Sequence, residues 1–205
     1  MGDVPLSKRC TKCKNMSDPW HDIFHTTFFG MRAIQHWSDV VLWEQFFNEH
    51  PDIKTVVELG SGGHGLSIIF ALHGITRGFQ LHMFDRKRYE SLDWPVPRLL
   101  GLERTSHAID LFSEQGKKKV VGLLRTSLHP LLLFCDNGDK PKEFATFVPH
   151  LQTGDYVGVH DWDLEFFQKD TISLERMIGL EPWRFDLADE MGGSTRLWKI
   201  GEVQP

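Results

Sequence analysis

The segment VVELGSGGHGLSIIFALHG, residues 56–74, restricts the possible fold more than any other part of the chain. A short apolar, β-branched run leads into closely spaced glycines, and the apolar residues that follow recur at helical spacing. Strand, tight turn and helix in that order make the first half of a β-α-β unit. Gly60, Gly62 and Gly65 fit G-x-G-x-x-G, a turn whose glycines let the backbone come close to a nucleotide-like ligand. The glycines alone leave the ligand open.

The alternation continues along the chain. Ahead of the turn, DVVLWEQFFNEH carries Val40, Val41, Trp43 and Phe47 at helical spacing, which predicts a helix from about Ser38 ending before Pro51. KTVVEL is a predicted strand and GLSIIFALHG a helix stopped by Gly74. FQLHMFD, RTSHAID, PLLLFCD and GDYVGVHD read as further strands. Between them, WPVPRLLG is turn-rich, FSEQGKKKVVGLL reads as a helix despite Gly116, and KPKEFATFVPHL as another. LEFFQKDTISLERMIG is expected to be helical, and WRFDLA and STRLWKI to be two terminal strands. Five strands alternating with helices imply a parallel sheet covered on both faces, doubly wound by right-handed crossovers. With strand order 3-2-1-4-5, the ligand crevice lies between the first and fourth strands, flanked by the turns at Gly60 and Asp136. No repeat or linker divides residues 38–205, which are expected to form one domain. Residues 1–37 precede it as a polar tail and an aromatic segment.

The 205 residues can bury a sizeable core. A formal net charge of -5 argues against a general nucleic-acid binder, whose footprint is basic. No apolar run approaches the roughly 18–20 residues that span a bilayer. The N-terminus lacks the apolar core of a signal peptide, so a cytoplasmic location is expected. Cys10 and Cys13 form a lone C-x-x-C with only His21 and His25 nearby, which reads as a basic tail before it reads as a zinc site. Trp20, Phe28, Phe29 and Trp37 are candidates for a lid, or for ordinary packing of the N-terminal segment.

Charge at the glycine turn narrows the ligand. Glu58 closes the first strand two residues before Gly60. A carboxylate there opposes a pyrophosphate but suits a ligand with sulfonium and ammonium groups. Asp85 ends the second strand, where a carboxylate accepts hydrogen bonds from both ribose hydroxyls. Asp110, after the third, is placed for an adenine amino group or as a cap on the next helix. Over roughly residues 38–200 the chain resembles the class I S-adenosylmethionine (SAM)-dependent methyltransferases. The resemblance rests on ELGSGGHG, Asp85, and HLQTGDYVGVHD, which is similar to that family's turn into its fifth strand. It implies an α/β, Rossmann-like, doubly wound sheet of seven strands with an antiparallel C-terminal strand. It also implies SAM as cofactor, held by Glu58, Gly60, Ser61, Gly62, His64, Asp85, Arg86, Asp110 and Asp136. His64 stands where the family has a glycine, and is expected to crowd the methionine moiety.

A second constellation follows the fourth and fifth strands. CDNGDKPKEF carries Asp136, Asp139 and Lys140, and VHDWD carries His160, Asp161 and Asp163. Neighbouring strands bring their carboxyl ends together, so Asp136, Asp161 and Asp163 are candidate ligands for a divalent cation such as Mg. His160 adds tolerance for Mn or Zn, but reads first as a pocket-lining or structural residue. The pattern is similar to the metal-dependent O-methyltransferases of the catechol and caffeoyl type. There a D-A-D-K stretch and a D-N pair supply the metal ligands, and the Lys is the base. Here D-N-G-D-K is one residue longer and Asp161-Trp162 replaces the pair, leaving Asp163 to stand for the amide. To a lesser degree ELGSGGHGLS and HDWD also resemble the cephalosporin hydroxylase group, which shares the fold and a metal. The implied catalytic residues are Asp136 and Lys140. A cation lowers the pKa of the acceptor hydroxyl, and Lys140, if depressed by cation and burial, takes the proton. Asp139 before KPKEF is also a natural helix cap.

The leading expectation is a SAM-dependent methyltransferase acting on a hydroxyl of a small-molecule acceptor, with no nucleic-acid or membrane partner. Self-association into a homo-oligomer is left open. Three readings stand beside it. One is an NAD(P)-dependent oxidoreductase, from the full G-x-G-x-x-G and the D-R-K-R run at Asp85. Another is a non-catalytic methyltransferase-fold binding module, from His64 and the altered metal pair. The third is a hydroxylase-like activity on the same fold.

Overall fold

TVVEL and LLLFC are almost wholly apolar runs, the pattern of strands covered on both faces. They form β3 (Thr55–Leu59) and β6 (Leu131–Cys135), whose residues are all buried and which pair in parallel at the centre of the sheet. The computed structural model describes residues 26–202. A short hairpin, β1 (Thr26–Phe28) and β2 (Met31–Ala33), comes first. The main sheet adds β4 (Gln80–Asp85), β5 (Ser106–Ala108), β7 (Tyr156–Val159), β8 (Leu180–Trp183) and β9 (Arg196–Ile200) to β3 and β6. Its order is β5-β4-β3-β6-β7-β9-β8. The first five of these strands are parallel and β9 is antiparallel to both its neighbours, as expected. The order in which strands are added therefore reverses between the parallel pair β3 and β6, where the crevice was expected.

Helices cover both faces. They are α1 (Trp37–Glu49), α2 (Gly65–Arg77), α3 (Pro95–Leu99), α4 (Leu102–Thr105), α5 (Glu114–Thr126), α6 (Lys140–Phe147), α7 (Ile172–Ile178) and α8 (Phe185–Met191). On one face Trp43, Phe46 and Phe47 of α1 and Phe70 of α2 pack against Val56, Met83 and Phe134. On the other, Val120 and Leu124 of α5 and Phe144 and Phe147 of α6 pack against Val57, Leu133 and Trp198. Full burial of each such side chain is worth about 1.5–3 kcal/mol. Trp43 meets Phe70 and Phe134 edge-on at 4.9 and 4.8 Å. Gly158 in β7 makes room for it, since a Cβ there would lie 3.2 Å from the indole and 2.9 Å from Leu197.

Three elements differ from the sequence reading. Gly74 does not stop α2, which runs on to Arg77 and ends at Gly78, whose φ of 82° gives the left-handed cap. Gly74 instead admits Phe79, whose carbonyl would lie 3.1 Å from a Cβ. WRFDLA is not a strand: β8 ends at Trp183, Arg184 turns left-handed, and Phe185 begins α8. The stretch from Leu164 is helical only over Ile172–Ile178, with a 3-10 turn at Gln168–Asp170. Its first part folds around Asp161, whose carbonyl accepts from the amides of Leu164, Glu165 and Phe166. Cys10, Cys13, His21, His25 and Trp20 lie outside the described residues. No helix among the described residues is long and apolar enough to cross a membrane.

Candidate functional site

The glycine turn is built by close approach. Gly60 has a φ of 94°, and a Cβ on it would lie 2.4 Å from the Asp136 carbonyl, so the β3 and β6 turns touch through this residue. A Cβ on Gly65 would lie 2.4 Å from the Cβ of Ala33, so the N-terminal hairpin rests on the same turn. The resulting cleft of about 350 Å³ is lined by Glu58, Gly60, Ser61, Gly62, Asp85 and Asp136, and further by Gln35, Lys140, His160 and Asp161.

Glu58 is buried and accepts from Ser67 Oγ at 2.5 Å. Burial, and secondarily the charges of Asp136 and Asp85, push its carboxyl up to about 8. Asp85 is fixed by the amides of Gly62 at 3.0 Å and Lys87 at 3.4 Å. His64 begins α2 in the left-handed conformation, with a φ of 65°. Its Nε2 lies 3.5 Å from Ser61 Oγ at the edge of the cleft. Its buried ring lies 2.9 Å from Ser91 Oγ and packs edge-on against Tyr89, and burial lowers its imidazole to about 4.

At the ends of β6 and β7, the ligand atoms of Asp136, His160 and Asp161 all lie within 4.8 Å of one another. His160 Nδ1 is 3.1 Å from Asp136 Oδ1 and 3.2 Å from Asp161 Oδ1. Asp163, also expected in this group, is exposed with a φ of 61° and is not among the three. Asp161 has a φ of 60°, a left-handed conformation that Asp tolerates better than most residues. Burial would raise its carboxyl, but hydrogen bonding and charge from His160, with Lys140 behind them, hold it well below the usual carboxylate range. Asp136 is pushed up by burial in spite of His160 and Lys140.

Lys140 is also brought in, but not as a depressed amine. Its buried Nζ lies 2.7 Å from Asp161 Oδ2, 2.8 Å from Glu165 Oε2 and 3.8 Å from Asp136 Oδ1. Burial alone would lower its pKa; Asp136 and Asp161 outweigh that and raise it. Asp139 has the capping role instead, accepting from the Lys142 amide at 3.2 Å.

Two other candidates stay outside the cleft. Arg86 is exposed in the loop after β4. Asp110 is exposed, and its Oδ1 accepts from the Phe112 amide ahead of the Ser113 cap of α5. The rest of the basic run, Lys87 and Arg88, borders a neighbouring cavity of about 430 Å³ together with Arg32, Tyr89 and Trp94.

Sequence reasoning missed three buried residues around the cluster. Gln35 donates from Nε2 to Asp136 Oδ2 at 2.7 Å, and Asp39 and Ser194 stand behind His160. Only Asp39 carried a local signal, as an acidic residue in the first turn of a helix, and that signal reads as capping.

No protein-family model matches the chain, and no curated protein matches it. Among solved structures, an apo-structure of CmcI superposes with a TM-score of 0.65 at 18% identity, covering 98% of this chain and 86% of that one. CmcI with Mg and SAM gives 0.66 at 18% identity, over 98% and 87%. CmcI with SAH gives 0.61 at 19% identity, over 97% and 93%. The likeness establishes the fold: an α/β, Rossmann-like sheet of the class I methyltransferase type with antiparallel C-terminal strands.

Proposed function

We propose that the chain is a SAM-dependent methyltransferase acting on a hydroxyl oxygen of a small molecule, with a divalent cation at Asp136, His160 and Asp161. One observation carries this reading. The turn that would carry a pyrophosphate in a dinucleotide enzyme is lined by Glu58, Asp85 and Asp136. Asp85 and Asp136 disfavour a pyrophosphate, and together with Glu58, which an arriving cation drives to ionise, they attract a ligand with a positive sulfonium and ammonium. The structures of CmcI with Mg and SAM and with SAH, which share the fold, support the same choice.

SAM would supply an activated methyl group, and a bound cation would supply Lewis-acid activation of the acceptor oxygen. The chain's own groups divide the remaining work. Glu58 offers a counter-charge beneath the glycine turn, and Asp85, fixed by two backbone amides, offers oxygens to the ribose. Asp136, His160 and Asp161 form a donor set of two carboxylates and an imidazole that fits a divalent cation. Lys140 is a fixed ammonium that clamps Asp161 and Glu165. A role as base requires those carboxylates to be engaged elsewhere.

The test is thermal. At a SAM concentration of 100 Kd, binding stabilises by about 2.7 kcal/mol, which for a chain of this length raises Tm by roughly 5–10 °C. SAM and SAH should both give that shift and NADPH should not. A shift with NADPH alone supports the oxidoreductase reading, and no shift with any of them the binding module. Methyl transfer that survives chelation removes the cation from the proposal and leaves the rest.

A further inference from the structure

The cation cluster has a second layer that capping or packing does not account for. Asp39, in the first turn of α1, is fully buried. Its Oδ1 accepts from the Thr195 amide at 3.0 Å, and its Oδ2 from the His36 amide at 3.0 Å and from Ser194 Oγ at 3.4 Å. The bond from His36 already completes the helix cap. Ser194 and the Thr195 amide come from the turn before β9, 155 and 156 residues away. Ser194 Oγ in turn lies 2.9 Å from His160 Nε2, and Asp39 Oδ2 lies 3.7 Å from the same nitrogen.

Proton positions follow from these contacts. An ionised carboxylate only accepts, so the Ser194 hydroxyl hydrogen points at Asp39. With its hydrogen committed, Ser194 Oγ accepts from His160, so Nε2 carries a hydrogen. Nδ1 faces Asp136 and Asp161, which only accept, so without a cation it carries a hydrogen as well and the ring is an imidazolium. A cation that displaces the Nδ1 proton leaves the relay behind Nε2 intact. A carboxylate behind a histidine is the general means by which proteins fix the orientation and tautomer of an imidazole ligand.

We propose that Asp39 and Ser194 are positioning residues that fix the tautomer of His160, turning an acidic pocket into a cation site with one imidazole ligand. Such a site prefers manganese, iron, cobalt or zinc to magnesium or calcium, which favour all-oxygen ligands. The inference rests on the cation reading above and adds its metal class and its supporting residues.

The experiment loads the full chain with Mn(II) and records electron spin-echo modulation from nitrogen, alongside Mn(II) and Mg(II) affinities. Wild-type should show one imidazole nitrogen coupling and bind Mn(II) at least about tenfold more tightly than Mg(II). Ser194→Ala should lose about 10–100-fold in Mn(II) affinity while Mg(II) affinity changes much less, and Ser194→Thr, which keeps the hydroxyl, should restore it. A merely structural role would weaken both metals alike. Asp39→Asn should follow Ser194→Ala, but it also loosens α1, so the serine variants and the wild-type spectrum decide. Wild-type Mn(II) binding without nitrogen coupling, or an unchanged Mn-to-Mg ratio in Ser194→Ala, overturns the inference. SAM binding, followed separately by calorimetry, tells that outcome apart from failure of the methyltransferase reading.

Discussion

Glu58 lies buried beneath the glycine turn, bonded to Ser67 and close to Asp85 and Asp136, and its carboxyl ionises near pH 8 instead of near 4.5. Between those values the folded chain holds a proton that the unfolded chain has released. Stability is therefore full below about pH 4.5 and falls as pH rises toward about 8. The upper limit of this loss is roughly 5 kcal/mol. Glu58→Gln keeps an acceptor for Ser67 and removes the titration. In melting curves from pH 5 to 8 the variant should lose less Tm than wild-type and be the more stable protein at pH 8. Glu143, buried beside the β6 turn and also raised to about 8, should keep about half of the slope. The same shift makes ligand binding proton-linked. A cation arriving at Glu58 favours its ionised form, so SAM binding at pH 7 should release protons. Calorimetry in buffers of different ionisation enthalpy measures that release, and no buffer dependence would contradict it. The charge logic at Glu58 and Asp85 was legible in sequence because each closes a strand next to a readable turn. The reversal at Lys140 was not, since it depends on Asp136, Asp161 and Glu165 arriving from three separate positions.

The N-terminal hairpin sits on the glycine turn through two glycine contacts. A Cβ on Gly63 would lie 2.7 Å from the Arg32 carbonyl, and one on Gly65 would meet Ala33. The third glycine of the fingerprint thus serves the packing of β2 on α2 here. Gly65→Ala should lift the hairpin from the turn, speed hydrogen exchange at the amides of residues 33–39, and weaken SAM binding with little loss of the sheet. Unchanged exchange there would show that the contact yields without consequence. The parallel strands and α1, α2, α5 and α6 were readable because their apolar periods are long and their caps local. Ser113 and Asp139 cap α5 and α6 as isolated sequence rules would have it. The segments around 161–170 and 183–191 were misread for a physical reason. Left-handed Asp161, Asp163 and Arg184 break periods that continue on either side, and nothing local marks a non-glycine residue that turns left.

The central β3-β6 pair fixes where chemistry can occur. Seven strands in the order β5-β4-β3-β6-β7-β9-β8 leave one reversal of winding, and the carboxyl ends that meet there carry Glu58, Asp85, Asp136 and Asp161. Strand alternation was enough to predict that convergence. Which third residue joins Asp136 and Asp161 was not predictable, because the choice of His160 over Asp163 depends on the turn conformation after β7. The excess of acidic groups in the cleft is the feature on which the functional account depends. Glu58, Asp85, Asp136, Asp161 and Glu165 line it against Arg32 and Lys140, and Arg32 also borders the neighbouring cavity with Lys87 and Arg88. The most direct measurement is calorimetric titration of the wild-type chain and Glu58→Gln with SAM and, separately, with NADPH at pH 7. The account predicts saturable SAM binding by wild-type, at least about tenfold weaker binding by Glu58→Gln, a loss of about 1.4 kcal/mol or more, and no NADPH binding by wild-type. Saturable NADPH binding by wild-type with no heat from SAM would contradict it.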